Sequence, residues 1–200
     1  MAADSRGRTV DEALIYTTGF FGIAPVDAAN VIPKADLGSA DLGDELSPIP
    51  AGFKYVGLRT SDGGPEQGRE AGEAIEFLED GFSINADGTI TLTMTLAQFN
   101  ATTRELVHGK APDANGVIAV TDSTPNNRYI ALAESVYKSG AVKREHGVVR
   151  VTEVSIGKDE RGSVNGIPVT FQWVRSELFD NALYWEAFLP AETAPVDPED

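Results

Sequence analysis

Glu73, Glu76, Glu79 and Asp80 lie close together in the sequence. Paired carboxylates are what glycoside hydrolysis needs, one to protonate the leaving oxygen and one to activate water or attack the sugar. A run of acids is also what a solvated face looks like, and spacing alone favours that plainer reading. The only histidines are His108 and His146. His108 falls where a helix would close, and a cation suits that end of the dipole. His146 sits beside Gly147 and reads as a turn residue, so both are expected to be structural. Gly63-Gly64-Pro65-Glu66-Gln67-Gly68 lacks the Gly-Lys-Ser/Thr ending of a phosphate loop and is acidic. No serine stands in a Gly-x-Ser-x-Gly elbow. Asp62 and Asp80 lack the ordered ligand spacing of a calcium loop. Asn100-Ala101-Thr102 fits a glycosylation sequon, but nothing else points to secretion. With no cysteine in the chain, disulfides, thiolate catalysis and cysteine metal sites are excluded together. The expectation is a protein that is not an enzyme, with no catalytic, cofactor-binding or metal residues.

The 200 residues carry a formal net charge of −15 and a pI near 4.4. No basic patch is present to grip phosphates, and such a charge repels nucleic acid. No apolar run approaches membrane-spanning length, and MAADSRGRTV has no signal core, so a soluble protein made in a cytoplasm is expected.

The clearest structural pattern lies in residues 82–109. Asp87-Gly88 signals a tight turn. Ile90, Leu92, Met94 and Leu96 then alternate with Thr89, Thr91, Thr93 and Thr95, which predicts a strand with one apolar face. Asn100 can cap a short helix, Leu106 and Val107 give it an apolar side, and Gly109 can end it.

Elsewhere the pattern predicts strands at 14–23 with a bend or bulge at Gly19, and at 53–58, 73–78, 117–120, 128–138, 148–156, 165–173 and 183–189. The 128–138 segment has the Ala and Glu content of a helix but the alternation of a strand, and strand is favoured. Residues 24–52, with four prolines, read as a long irregular connection. Thr60, Ser61, Asp62, Gly63, Gly64, Pro65, Glu66, Gln67, Gly68, Arg69, Glu70, Ala71 and Gly72 read as a mobile loop. The domain reading is a flexible arm at 1–13, a single β domain at 14–189 and an acidic disordered tail at 190–200. Many short strands with turn signals mean a β-sandwich or barrel with one added helix and long loops.

The order of these motifs resembles the major tail tube proteins of long-tailed, siphovirus-type bacteriophages, most of all those infecting actinobacteria. The resemblance spans roughly residues 14–189. It rests on IYTTGFFGIAPVDA (15–28), the proline-rich stretch after it, FKYVGLRTSDGG (53–64), EAIEFLEDG (73–81), and a threonine-rich strand running into LAQFNATTRELVHG (96–109). Gln98 stands where the family has a glutamate, and Ile75 and Phe77 replace an aromatic after the glycine-rich loop. The resemblance implies a β-sandwich tail tube fold with one flanking short helix. Six copies would form a ring, and rings would stack head to tail into the tube through which DNA is ejected into the host.

The implied partners are further copies of the chain, tail-tip or baseplate and tail terminator proteins, and a tape measure protein inside the tube. Double-stranded DNA would pass without specific binding. No membrane and no cofactor are implied. The protein would be made and assembled in the bacterial cytoplasm and reside in the virion. Glu73, Glu76, Glu79 and Asp80 become candidate lumen-facing acids, and residues 60–72 a candidate inter-subunit loop. Two other classes fit the same residues. One is a different virion β-protein, such as a tail terminator, tail-tip or head decoration protein. The other is an acidic β-sandwich hydrolase of the glycoside type.

Overall fold

The computed structural model describes residues 13–43, 48–78, 81–121 and 127–190. The chain is mainly β. One large sheet holds β1 (Tyr16–Pro25), β2 (Lys54–Tyr55), β3 (Glu66–Glu70), β6 (Thr89–Leu96), β7 (Arg128–Tyr137), β8 (Val142–Val154), β9 (Ile167–Val174) and β10 (Tyr184–Leu189). A second sheet is the pair β4 (Ala74–Glu76) and β5 (Ser83–Asn85). Two short helices complete it, the single turn α1 (Lys34–Leu37) and α2 (Ala101–His108).

The large sheet runs β2-β1-β7-β8-β9-β6-β3, every pair antiparallel. β8 is long enough to serve two strands along one edge. Val142–Gly147 pairs with β10, and Val148–Val154 pairs with β9.

The alternation in β6 is obeyed residue by residue. Ile90, Leu92, Met94 and Leu96 are buried and the threonines between them are half-buried. Thr93 meets Thr170 of β9 on the outer face, hydroxyl to hydroxyl at 3.2 Å. Val169, Phe171 and Trp173 of β9 face inward beside them. In β7 both faces are buried. Tyr129, Ala131 and Ala133 enter the core shared with β6 and β9, while Ile130 and Leu132 enter a second core with Ile32, Leu37, Phe53, Val148 and Phe179. Two burying faces decide strand over helix here, because a 3.6-residue period would give one apolar stripe.

The sheet is strongly curled. Phe21 of β1 and Phe171 of β9 have ring centroids 5.0 Å apart, although β7 and β8 lie between them in the ladder. Three flat strand spacings of ~4.8 Å would hold them roughly 14 Å apart. The segment after β2 crosses between the two ends of the curl. Val56 N–H donates to Phe21 O, Ala97 N–H to Leu58 O, and Thr60 N–H to Thr95 O. Among the described residues the segment joins β6 by the isolated bridge Arg59–Leu96 and not by a continuous ladder, and no barrel closure is seen.

Several expectations are corrected. Residues 60–72 are not all loop, because Glu66–Glu70 forms β3 on the free edge of β6. The ladder supplies backbone partners that side-chain composition could not reveal. The 24–52 connection docks on the sheet through a 3-10 turn at Ala28–Asn30 and α1, burying Ile32 and Leu37. The strand expected at 53–58 is only Lys54–Tyr55, and 117–120 forms none. β8 starts at Val142, well before 148. His146 is therefore no turn residue. It lies inside β8 and is fully buried. The expected arm at 1–13 falls, but for its last residue, outside the described residues, as does the tail beyond Pro190.

At Gly19 the β1–β7 register shifts nearby, between Tyr16 and Thr18. A Cβ there would run into the carbonyl oxygen of Glu134. Gly19→Ala is expected to cost roughly 1–3 kcal/mol through backbone displacement, read as a lower urea midpoint with unchanged slope.

Candidate assembly surface

β3 and β6 form the base of a long hairpin, and β4 and β5 form its outer part. Glu66–Glu70 pairs with Thr89–Thr93, and Ala74–Glu76 pairs with Ser83–Asn85. Ala86 N–H donates to Glu73 O below the outer pair, and Phe77 N–H donates to Phe82 O above it. Ile75 lies opposite Ile84. Strand alternation then sets Phe77 and Phe82 on the same face as these two. All four are exposed, at 55% for Ile75, 53% for Phe77, 68% for Phe82 and 57% for Ile84, and none belongs to either core. A two-stranded hairpin is marginal in water by itself, and four large apolar side chains on one bare face form a patch that marks an interaction site.

A contrast at the hairpin base shows what ties it to the body. Gln67 of β3 lies opposite Leu92 on the inner face. Its side-chain amide donates to Glu145 at 3.1 Å and to the Tyr184 hydroxyl at 3.0 Å. Glu145 also takes Lys143 at 3.0 Å. No corresponding tie reaches the β4–β5 pair among the described residues. Hydrogen exchange should therefore divide the hairpin, with the bonded amides of 66–70 and 89–93 protected in the isolated protein and those of 75–77 and 82–84 exchanging fast. Equal protection along the whole hairpin would refute this division.

The four candidate acids are not brought together. Alternation puts Glu73 on the face of Ile75 and Glu76 on the opposite face, and both are exposed. Glu79 and Asp80 lie outside the described residues. Of the candidate loop 60–72, the first part bonds to the end of β6, where Thr95 N–H donates to Gly63 O at 3.1 Å, and the rest is β3 with a short connection. Among the described residues no three of His, Asp and Glu gather as metal ligands. The open groove beside β3, about 620 Å³, presents one carboxylate, Glu186, with Arg69 and Arg175.

No family model and no curated protein sequence matches the chain. The functional reading therefore rests on the molecule itself.

At the other end of β6 the expected helix cap and stop are present, but the sequence reading missed the exposed apolar groups gathered there. Asn100 caps α2, accepting from Thr103 N–H at 2.9 Å, and donates to Val56 O at 3.1 Å. Gly109 ends the helix in the left-handed region, φ 67°. Leu58 N–H donates to the Gln98 side chain at 2.8 Å and Leu58 O accepts from Ala97 N–H, so the segment that carries Leu58 runs alongside the one leading to Phe99. Leu58 and Phe99 are exposed, at 67% and 53%. Arg104 lies over the Phe99 ring at 5.9 Å and Arg59 over Tyr16 at 5.6 Å. The signal available in the sequence was Phe99 standing out of phase with the strand before it.

His146 and Arg144 hold the 24–52 connection from one face of β8. His146 Nε2 accepts from Ile32 N–H at 3.0 Å, and its Nδ1–H donates to Ala131 O at 2.8 Å. Burial holds its pKa down to about 4, against a weaker opposing pull from the Ala131 bond. Arg144 donates to Glu134 at 2.8 Å, to Leu37 O at 3.0 Å and to Ser39 O. These two residues are structural pins.

Proposed function

We propose that the chain is a structural subunit that assembles with copies of itself into a tube, as in the phage tail tube proteins it resembles. The observation that carries this reading is the β4–β5 pair, whose apolar face is exposed and covered by no other described residue of its own chain. A curled sheet that stops short of closing leaves strand edges that neighbouring subunits would cover. Stacked hexameric rings with the sheet lining the bore would use the acidic surplus to keep DNA sliding. In such a ring one of Glu73 and Glu76 would be turned to the bore at most, since they stand on opposite hairpin faces. The protein would act in the virion, meeting tip, terminator and tape measure proteins, and would carry no catalytic residues.

Negative-stain images of the purified protein, taken over a range of concentrations, test this reading. Long tubes built of sixfold rings are the expected result. Monomers at every concentration, or single closed rings that never stack, would overturn it. Single rings would instead favour a terminator or decoration protein.

A further inference from the structure

We propose that the hairpin of one copy docks on the α2 corner of the next, with Ile75, Phe77, Phe82 and Ile84 covering Leu58 and Phe99. This rests on the self-assembly reading and names its mating surface. Three observations carry it.

The first is charge. Residues 71–88 contain no lysine or arginine, and Glu73, on the face of Ile75, has no ion-pair partner among the described residues. At the corner, Arg59 and Arg104 likewise have no carboxylate partner among the described residues. The corner's own acid, Glu105, is already taken by Lys54 at 3.0 Å. An acidic apolar surface and a basic apolar surface are complementary in both respects.

The second is composition. Each surface exposes large apolar groups beside its charges, the pattern of an interface core with a polar rim. Arg104 on Phe99 and Arg59 on Tyr16 are held by ring contacts, so little side-chain freedom is lost on docking.

The third is placement. The hairpin leaves from the first residue of β6 and the corner follows its last. Eight strand residues at ~3.3 Å each set the two ends of β6 roughly 25 Å apart, and the residues of both surfaces lie outside those ends in the chain. A copy cannot satisfy itself across that distance. The next copy, displaced along β6, can. Such a contact is head to tail, and repetition generates an open stack.

Two charge-reversed proteins test the pairing. One carries Glu73→Lys, and the other carries Arg59→Glu with Arg104→Glu. Each first has its melting curve compared with the parent, since only the interface should change. Alone, each should need roughly tenfold or more protein to assemble, because like charges then face each other. Mixed in equal amounts they should assemble near the parent concentration, since the reversed hairpin of one finds the reversed corner of the other, and the unreversed hairpin finds the unreversed corner. A second measurement uses the cysteine-free background. Phe77→Cys mixed with Phe99→Cys should give a disulfide dimer under mild oxidation that a Phe77→Cys and Phe188→Cys mixture does not. If the parent forms tubes but the reversed mixture stays dispersed and no selective disulfide forms, the docking is wrong and the tube reading stands. If the parent never assembles, both fall.

Discussion

Leu92→Asp is expected to yield no soluble folded protein. Leu92 is 1% exposed and sits mid-strand between Phe171 of β9 and Gln67 of β3. The substitution removes an apolar side chain worth roughly 1.5–3 kcal/mol of burial and places an unpaired carboxylate among Met94, Phe21 and Trp173. Desolvating that charge adds several kcal/mol more, against a total stability on the order of 5–15 kcal/mol. One residue on, Thr93→Ser keeps the hydroxyl that meets Thr170 and should change stability by less than about 1 kcal/mol. Soluble yield and thermal melting of the pair decide it. A folded Leu92→Asp protein with unchanged melting would mean that the buried face of β6 is misassigned.

Acid should unfold the protein through His146. In the unfolded chain this imidazole titrates near 6.5, and in the folded chain near 4. Between those values the unfolded state holds the extra proton. Stability is therefore full above pH 6.5 and falls as the pH drops toward 4. The gap is worth roughly 3 kcal/mol at ~1.36 kcal/mol per unit. Protonating Nε2 would also cost the bond from Ile32 N–H, which fastens the connection leading to α1. Urea titrations from pH 8 to pH 4.5 should show the loss. In His146→Leu that component should vanish, with the protein weaker by roughly 1–3 kcal/mol at pH 8 because the Ile32 N–H is left buried without a partner. The two proteins should converge in acid. Parallel curves would refute the assignment.

What could be read from the sequence was what local period controls. The β6 alternation, the α2 caps at Asn100 and Gly109, and the two-faced burial of β7 all follow from residue type and spacing. β3 was hidden because Glu66-Gln67-Gly68-Arg69-Glu70 has no apolar face. Its place comes from the free edge of β6 and from Gln67 reaching Glu145 and Tyr184. His146 was misread because Gly147 beside it suggested a turn. In the fold that glycine is where β8 and β10 approach closely, and a Cβ would lie 2.6 Å from Leu183 O. The acids at 73 and 76 were read as one patch, but the strand period divides them. The Leu58–Phe99 corner depends on contact between segments some forty residues apart, which no local window contains.

The sheet order also sets a timetable for synthesis. β1 has β7 as its main partner, with Pro25 opposite Tyr129 and Tyr16 opposite Tyr137, so it leaves the ribosome more than a hundred residues before its partner. At ~5–20 residues per second it waits roughly 5–20 s with Phe20, Phe21 and Ile23 unsheltered. The hairpin and α2 corner are complete well before β7 to β10 exist to give them a body. Nascent chains on one messenger thus carry the exposed hairpin and corner without a folded frame behind them. The last strands made, β9 and β10, both close on β8, so the large sheet is complete only near the end of translation.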